Sequence, residues 1–430
     1  MFKLIVLLSI FKFINAIIPG NIKDEGPLVG QYKSVLDANW RWIHYNGNYQ
    51  NCFDGSWNCG DNCDSCVLEG VSSEQYKTTY GIFPYQNGIE LQFVTGGNVG
   101  SRLYLLKDNK YWFPELLNKQ LSIDIDISEL PCAINSAVYL VQMNSSSLDT
   151  LGIGYGDAQC PTDIKYFYDG KVNRHNSPIC STEIDIIEAN REAMAWTLHP
   201  CNGNYCDKSG ADANSYRQGY HDFYGPHKKV DTTKPFTVIT QFIGDPVKEI
   251  KRLYKQNDIL LEHPGGSLTS ESIAKWKQLQ NEPNVFEQTG GFESLTNAIK
   301  QGMGFVLSIW DDPATNMRWL DSNERGPCSG NDQPRNTNPN VKVRFSNIKL
   351  EPLNQSLLEP SQPNPISDQP NPISKQPSNN NCSNDVCNLL LNINCQINLI
   401  EDKSGFPVIE IIYKTKKYNL QLKNFLSLSI

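Results

Sequence analysis

Several features are scarce in this chain of 430 residues. Beyond its first sixteen residues no apolar run is long enough to span a bilayer, so no retained membrane helix is expected. A basic surplus is also missing. Against 38 Lys and Arg stand 46 Asp and Glu, a formal net charge of −8. Such a surface disfavours nucleic acid and anionic membranes as partners and suits a neutral substrate. From Asn354 onward acids and bases balance, so the acidity belongs to the main region. Histidine is rare, six in all, and none stands at ligand spacing from Cys59 and Cys63, which argues against a zinc site. Helical periodicity is sparse too; Ser270 to Gln280 and Phe292 to Lys300 are the best candidates.

What is present is a set of short strand-like runs. Leu121 to Ile127 alternates strictly, Ala137-Val138-Tyr139-Leu140-Val141 is continuously apolar, and Val341 to Lys349 reads as a closing strand. Many short strands with turn signals between them predict an all-β sandwich. Met1 to Ala16 has the build of a secretory signal: Lys3, an apolar run from Leu4 to Ile10, and Asn15-Ala16 as the cleavage point. Thirteen cysteines fit export to an oxidising, extracellular compartment. The ten before the Pro-rich segment can pair completely, whereas Cys382, Cys387 and Cys395 leave one thiol over. In the segment 354–381, Gln362-Pro363-Asn364-Pro365-Ile366-Ser367 repeats as Gln369-Pro370-Asn371-Pro372-Ile373-Ser374, an extended spacer. Beyond it, 382–430 carries the apolar alternation of a small β module or hairpin. The expected organisation is therefore a signal at 1–16, a main domain at 17–353, a linker, and a tail module whose role stays open. Asn144, Asn354 and Asn381 are glycosylation sequons.

The chemistry concentrates in Glu183-Ile184-Asp185-Ile186-Ile187-Glu188. Acids interleaved with isoleucines predict a strand with one apolar face and one charged face. Glu183 and Asp185 share a face, while Glu188 has the wrong parity. A β-bulge would bring it back beside them. The two glutamates would then sit effectively four positions apart, about 13 Å along the strand. With each side chain leaning inward, about 5 Å remains between the carboxyls, the separation of a retaining glycosidase. The pattern by itself also suits a solvated strand or an acidic site for a cation such as calcium.

The wider segment narrows these readings. Glu-x-Asp-x-x-Glu-Ala-Asn at 183–190, followed by Thr197-Leu198-His199-Pro200-Cys201, resembles the signature of glycoside hydrolase family 7, and further matches run from about Gln31 to Leu353. The resemblance implies a concanavalin-like jelly roll, a β-sandwich with a substrate cleft on its concave face. It implies retaining cleavage of β-1,4-glucan such as cellulose, with no cofactor or metal. It also implies the pairings Cys52–Cys66, Cys59–Cys63, Cys132–Cys328, Cys160–Cys180 and Cys201–Cys206. A further family bridge would join positions 156 and 181, here Gly156 and Ser181, so both partners are missing together.

By the same resemblance Glu183 is the nucleophile, Glu188 the acid/base and Asp185 a hydrogen-bond partner of Glu183. An acidic optimum, roughly pH 4–6, follows if repulsion keeps Glu188 protonated beside an ionised Glu183. Asp37-Ala38-Asn39-Trp40-Arg41-Trp42 matches a family motif whose tryptophans stack on distant glucose units; read as a strand, it puts Trp40 and Trp42 on one face, where core packing is the plain alternative. Gly154-Tyr155-Gly156-Asp157-Ala158-Gln159-Cys160 would set Tyr155, Asp157 and Gln159 near the nucleophile, and Tyr139 of the apolar run 137–141 is a further substrate-binding candidate. Trp310 and Trp319 match tryptophans flanking the scissile bond. His199 matches a histidine on the leaving-group side, and equally suits a structural role before Pro200-Cys201. Arg217 and Arg325 match product-side arginines, though alone each would read as a surface ion-pair partner.

The loops that roof the cleft of chain-end-acting relatives are short here. Only Asp169 to Pro178 separates Tyr168 from the acidic strand's cysteine, a compact Ser-rich turn joins Met143 to Tyr155, and no Cys-rich insertion lies between Cys201 and Arg217. The expectation is a monomeric, secreted endoglucanase. The alternatives are a cellobiohydrolase and a non-catalytic glucan-binding lectin.

Overall fold

The computed structural model describes residues 23–143, 151–167 and 169–353, together with the backbone of three strands near the C-terminus. The secretory signal, the three sequons, the Ser-rich turn, the Pro-rich spacer, Cys382 and Cys387 lie outside the described residues. The chain divides into two compact units, 1–361 and 362–430. In the second, Cys395–Glu401, Pro407–Tyr413 and Lys416–Gln421 form an antiparallel three-stranded sheet. No helix among the described residues is long and apolar enough to cross a membrane.

Two large antiparallel sheets make the first unit. One runs Leu28–Val29, Tyr32–Leu36, Ser101–Lys107, Met303–Trp310, Asn135–Gln142, Glu183–Ala189, Met194–His199, Ala211–Ala213, with Lys110–Tyr111 paired to Ser101–Lys107. The other runs Ile259–Glu262, Val247–Gln256, Phe236–Gly244, Lys119–Asp126, Lys342–Pro352, Gly88–Gln92, Ile82–Tyr85. The alternation in Leu121, Ile123 and Ile125 points all three into the core between the sheets. Within Asn135–Gln142 the run Ala137–Val141 is apolar throughout because both its faces are covered. Val138 and Leu140 join the inter-sheet core, and Ala137, Tyr139 and Val141 join a second cluster with Tyr104, Tyr155 and Val306. Both helix candidates form, as Ser270–Leu279 and Gly291–Gln301. The first is entered through a capping box, Thr269 with Ser272.

All five disulfide pairings implied by the resemblance are present. At the position of the missing sixth, a Cβ built on Gly156 would lie 3.0 Å from Ser181 Oγ, so the two sites still face each other. One local expectation fails. Trp40 and Trp42 do not share a strand face, because Ala38–Trp40 is a 3₁₀ turn and the strand begins only at Ile43. Asp37 causes the turn: its carboxylate accepts the Asn39 N–H at 2.7 Å and is held by Arg102 and Tyr104.

Candidate active site

Glu183–Ala189 carries the expected bulge, and both neighbouring strands register it. On one side Glu183 pairs with Val141 and Glu188 with Ala137; on the other, Glu183 pairs with His199 and Glu188 with Ala195. A step of five along the acidic strand is thus matched by a step of four on each neighbour. Ile186 has no partner in either register. Ile184, Ile186 and Ile187 consequently all enter the core, while Glu183, Asp185 and Glu188 all line one groove of about 780 Å³.

Each acid is held differently. Glu183 accepts the Ala158 N–H at 3.2 Å, from a turn that Asp157 closes by accepting the Gln159 N–H at 2.8 Å. That turn is tied to the acidic strand by Cys160–Cys180 and by the Ser181 N–H donating to the Asp157 carbonyl. Asn135 Nδ2 donates to Glu188 at 2.8 Å, while its Oδ1 accepts the Ala189 N–H at 3.1 Å. The backbone bond fixes which way the amide faces, so Glu188 always meets the donor end. Asp185 accepts from His199 Nε2 at 3.1 Å and also neighbours Glu183, the three side chains lying within 4.8 Å of one another. His199 Nδ1 also meets the Asp207 carbonyl at 2.7 Å; this carbonyl can only accept, so Nδ1 carries a proton.

Burial, more than repulsion, sets the protonation. It raises Glu188 to about 8, with the Asp185 charge adding to it. Burial also pushes Glu183 well above the usual carboxylate range, helped by Asp185, Asp157 and Glu188. Burial alone would lower His199, but the bond to Asp185 and its charge lift the imidazole to about 9. The site is therefore a proton-holding cluster with one imidazolium compensating part of its negative charge.

Of the other expected site residues, Trp40, Tyr139, Tyr155, Asp157, Gln159, His199, Trp310, Trp319 and Arg325 line the groove. Trp42 and Arg217 do not. Trp42 stacks on His44, with ring centroids 4.0 Å apart, and its indole donates to Asn51. Arg217 lies behind the wall, bonded to Asp212 and Glu282. Arg325 shares Asp212 with it at 2.9 Å, and Lys277 joins the same carboxylates. Sequence reading missed Asp212 and Glu282, which long-range pairs with Arg325 and Arg217 tie together, and Arg102, whose guanidinium lies 3.4 Å over the Tyr155 ring. It missed as well the Asp311–Arg335 pair on the wall, bidentate at 2.7 Å.

A groove with paired glutamates on a bulged strand, flanked by tryptophans, is matched by known proteins. Residues 28–357 match the family model for glycosyl hydrolase family 7. The chain belongs to this family. It is 36% identical over 401 residues to exoglucanase GH7B of Limnoria quadripunctata, covering 74% of this chain and 89% of that protein. Among solved structures it is similar to a family 7 cellobiohydrolase of Daphnia pulex, with a TM-score of 0.70 and 34% identity over 75% of this chain and 93% of the other. It is also similar to endoglucanase I in complex with cellobiose, with the same TM-score of 0.70 and 29% identity over 77% and 98% of the two chains. This chain is accordingly a family 7 cellulase with the β-sandwich jelly roll of that family.

Proposed function

We propose that this family 7 member is a secreted endo-β-1,4-glucanase acting by double displacement. The observation that carries the chemistry is the bulge, which turns Glu183 and Glu188 toward one groove at a four-position spacing. At about 3.3 Å per position, inward-leaning carboxyls straddle a glycosidic bond with room for a covalent intermediate. Glu183 attacks the anomeric carbon; Glu188 protonates the departing oxygen and then takes the proton of the incoming water. Asp185, joined to His199, keeps a fixed charged pair beside the nucleophile. Trp40, Trp310 and Trp319 offer flat apolar faces to pyranose rings, and Arg325 lines the same groove with donors for sugar hydroxyls. A lectin would have no use for the proton-holding cluster.

The pH profile follows from the same cluster. Activity requires a protonated Glu188, so kcat/KM should fall as pH rises through about 8. It also requires an ionised Glu183, whose raised pKa moves the acid limb above the ordinary carboxylate range. The optimum is therefore expected above the acidic window that repulsion alone suggests. Initial rates on cello-oligosaccharides across the pH range test this; an alkaline limb below about pH 6 would contradict it.

Internal cutting rests on the shortness, in the sequence, of the segments that roof the cleft in chain-end-acting relatives; without such a roof a chain could enter mid-length. The rival reading, release of cellobiose from chain ends, is favoured by the similarity to an exoglucanase and a cellobiohydrolase. The two separate on soluble carboxymethylcellulose when viscosity and reducing ends are followed together. An endo-acting enzyme drops viscosity steeply after few cuts. A viscosity that falls only in proportion to released cellobiose would decide for the rival.

A further inference from the structure

Beneath the acidic strand, on the side away from the groove, lies a cation with no carboxylate among its hydrogen-bond partners. Arg252 belongs to Val247–Gln256 of the opposite sheet and is 1% exposed. It occupies an inward position between Ile250 and Tyr254, where alternation calls for an apolar side chain. Its guanidinium crosses the core, lies 4.7 Å over the Trp196 ring, and donates through one terminal nitrogen to the Ile186 carbonyl. Its Nε and other terminal nitrogen make no bond of ordinary hydrogen-bond geometry, although the guanidinium interacts with the neighbouring Tyr254 hydroxyl. Nearby His263 is held neutral by burial and by this charge, its pKa down at about 3, so it does not neutralise the arginine.

Burying a charge this way is costly unless it does something an apolar residue could not. The bonded carbonyl identifies the task. Ile186 is the residue that both neighbouring strands skip, so it has no ladder pairing. A buried carbonyl without a donor costs about as much as a lost hydrogen bond, and the strand could relieve that cost by closing the bulge. Closing it would return Glu188 to the core face. A charged donor reaching from the other sheet opposes that slip, and the Trp196 face stabilises the cation as it does so.

We infer that Arg252 is a positioning residue: it holds the bulge of the acidic strand open and thereby sets where the Glu188 carboxyl stands in the groove. This rests on Glu188 being the acid/base. The test compares two substrates. Cellotetraose has a poor leaving group that needs a proton, whereas 2,4-dinitrophenyl β-cellobioside releases its phenolate without one. Arg252→Met keeps the length of the side chain and removes the donors. It is expected to lose kcat on cellotetraose about tenfold more than on the activated glycoside, with KM little changed. Arg252→Lys, which keeps one charged donor, should show the same split at smaller size. A variant that is merely less stable would lose both activities in parallel. Equal losses, or none, would overturn the inference. Should Arg252→Met not fold, the Lys variant decides by the same ratio. Glu188→Gln is run beside them. If it fails to separate the two substrates, the acid/base reading is wrong; if it separates them and Arg252→Met does not, only the Arg252 inference fails.

Discussion

Glu183→Gln is expected to leave the fold and the binding of cello-oligosaccharides nearly intact while lowering turnover by about 10⁴-fold. The substitution removes one attacking oxygen and keeps the shape of the side chain. It also retains an acceptor for the Ala158 N–H that Glu183 engages at 3.2 Å. Because Glu183 is buried among Asp157, Asp185 and Glu188, a neutral amide relieves like-charge strain, and the variant should melt no lower than the parent above pH 5 or so. The sign is fixed by the direction of the shift. A carboxyl raised on folding binds protons more tightly in the native state, so its contribution to stability is lost as pH rises from the unfolded toward the folded pKa. Glu188→Gln should behave differently. It should remain active on glycosides with good leaving groups, accumulate the glycosyl-enzyme, and release a β-glycosyl azide when azide is added. Calorimetric titration with cellotetraose, paired with single-turnover rates, separates binding from chemistry. Near-parental hydrolysis by Glu183→Gln would end its assignment as nucleophile.

How much of this was legible depended on whether the deciding interaction was local. The acidic strand could be read because period-two alternation and a parity conflict at Glu188 both lie within six residues, and a bulge is the simplest way to resolve the conflict. The two long helices were likewise visible from their own periodicity. Trp40 and Trp42 misled because spacing says nothing of Asp37, whose carboxylate is claimed by Arg102 and Tyr104 and turns the chain at Ala38. Arg217 shows a different limit. Its match to a sugar-binding arginine could not reveal Glu282, 65 residues on, which takes up its guanidinium. Arg252 did leave a trace, a cation at an inward position of Ile250-Lys251-Arg252-Leu253-Tyr254. Only the opposing sheet supplies the carbonyl that gives that trace a meaning.

The bridge from Cys132 to Cys328 should be the largest single covalent contribution to stability, because it closes a loop of 196 residues. On the chain-entropy model its loss costs about 5 kcal/mol, a large part of the 5–15 kcal/mol typical of a folded domain. The bridges nested inside it, closing loops of 20 and 5 residues, shorten the free path only slightly. Since the cost grows with the logarithm of length, they change it by about a tenth of a kcal/mol. The native side of the balance bears on the groove. Cys328 donates its N–H to the Asp321 carbonyl, and the Asp321 carboxylate accepts from Ala133 and Asn190, each at 2.7 Å. Bridge and carboxylate together clamp the segment bearing Trp319 to the chain entering Asn135–Gln142, with the Trp319 ring 6.0 Å from that of Trp310. Replacing both cysteines by serine should lower the melting temperature by about 10 °C. It should also raise KM on cellotetraose more than it lowers kcat, because a sugar-stacking ring loosens while the carboxylates keep their places. Scanning calorimetry and steady-state kinetics of the double variant check both parts. An unchanged melting temperature would mean that the unfolded chain is already compact enough for the bridge to exclude little, and an unchanged KM would mean that the Asp321 bonds alone hold Trp319.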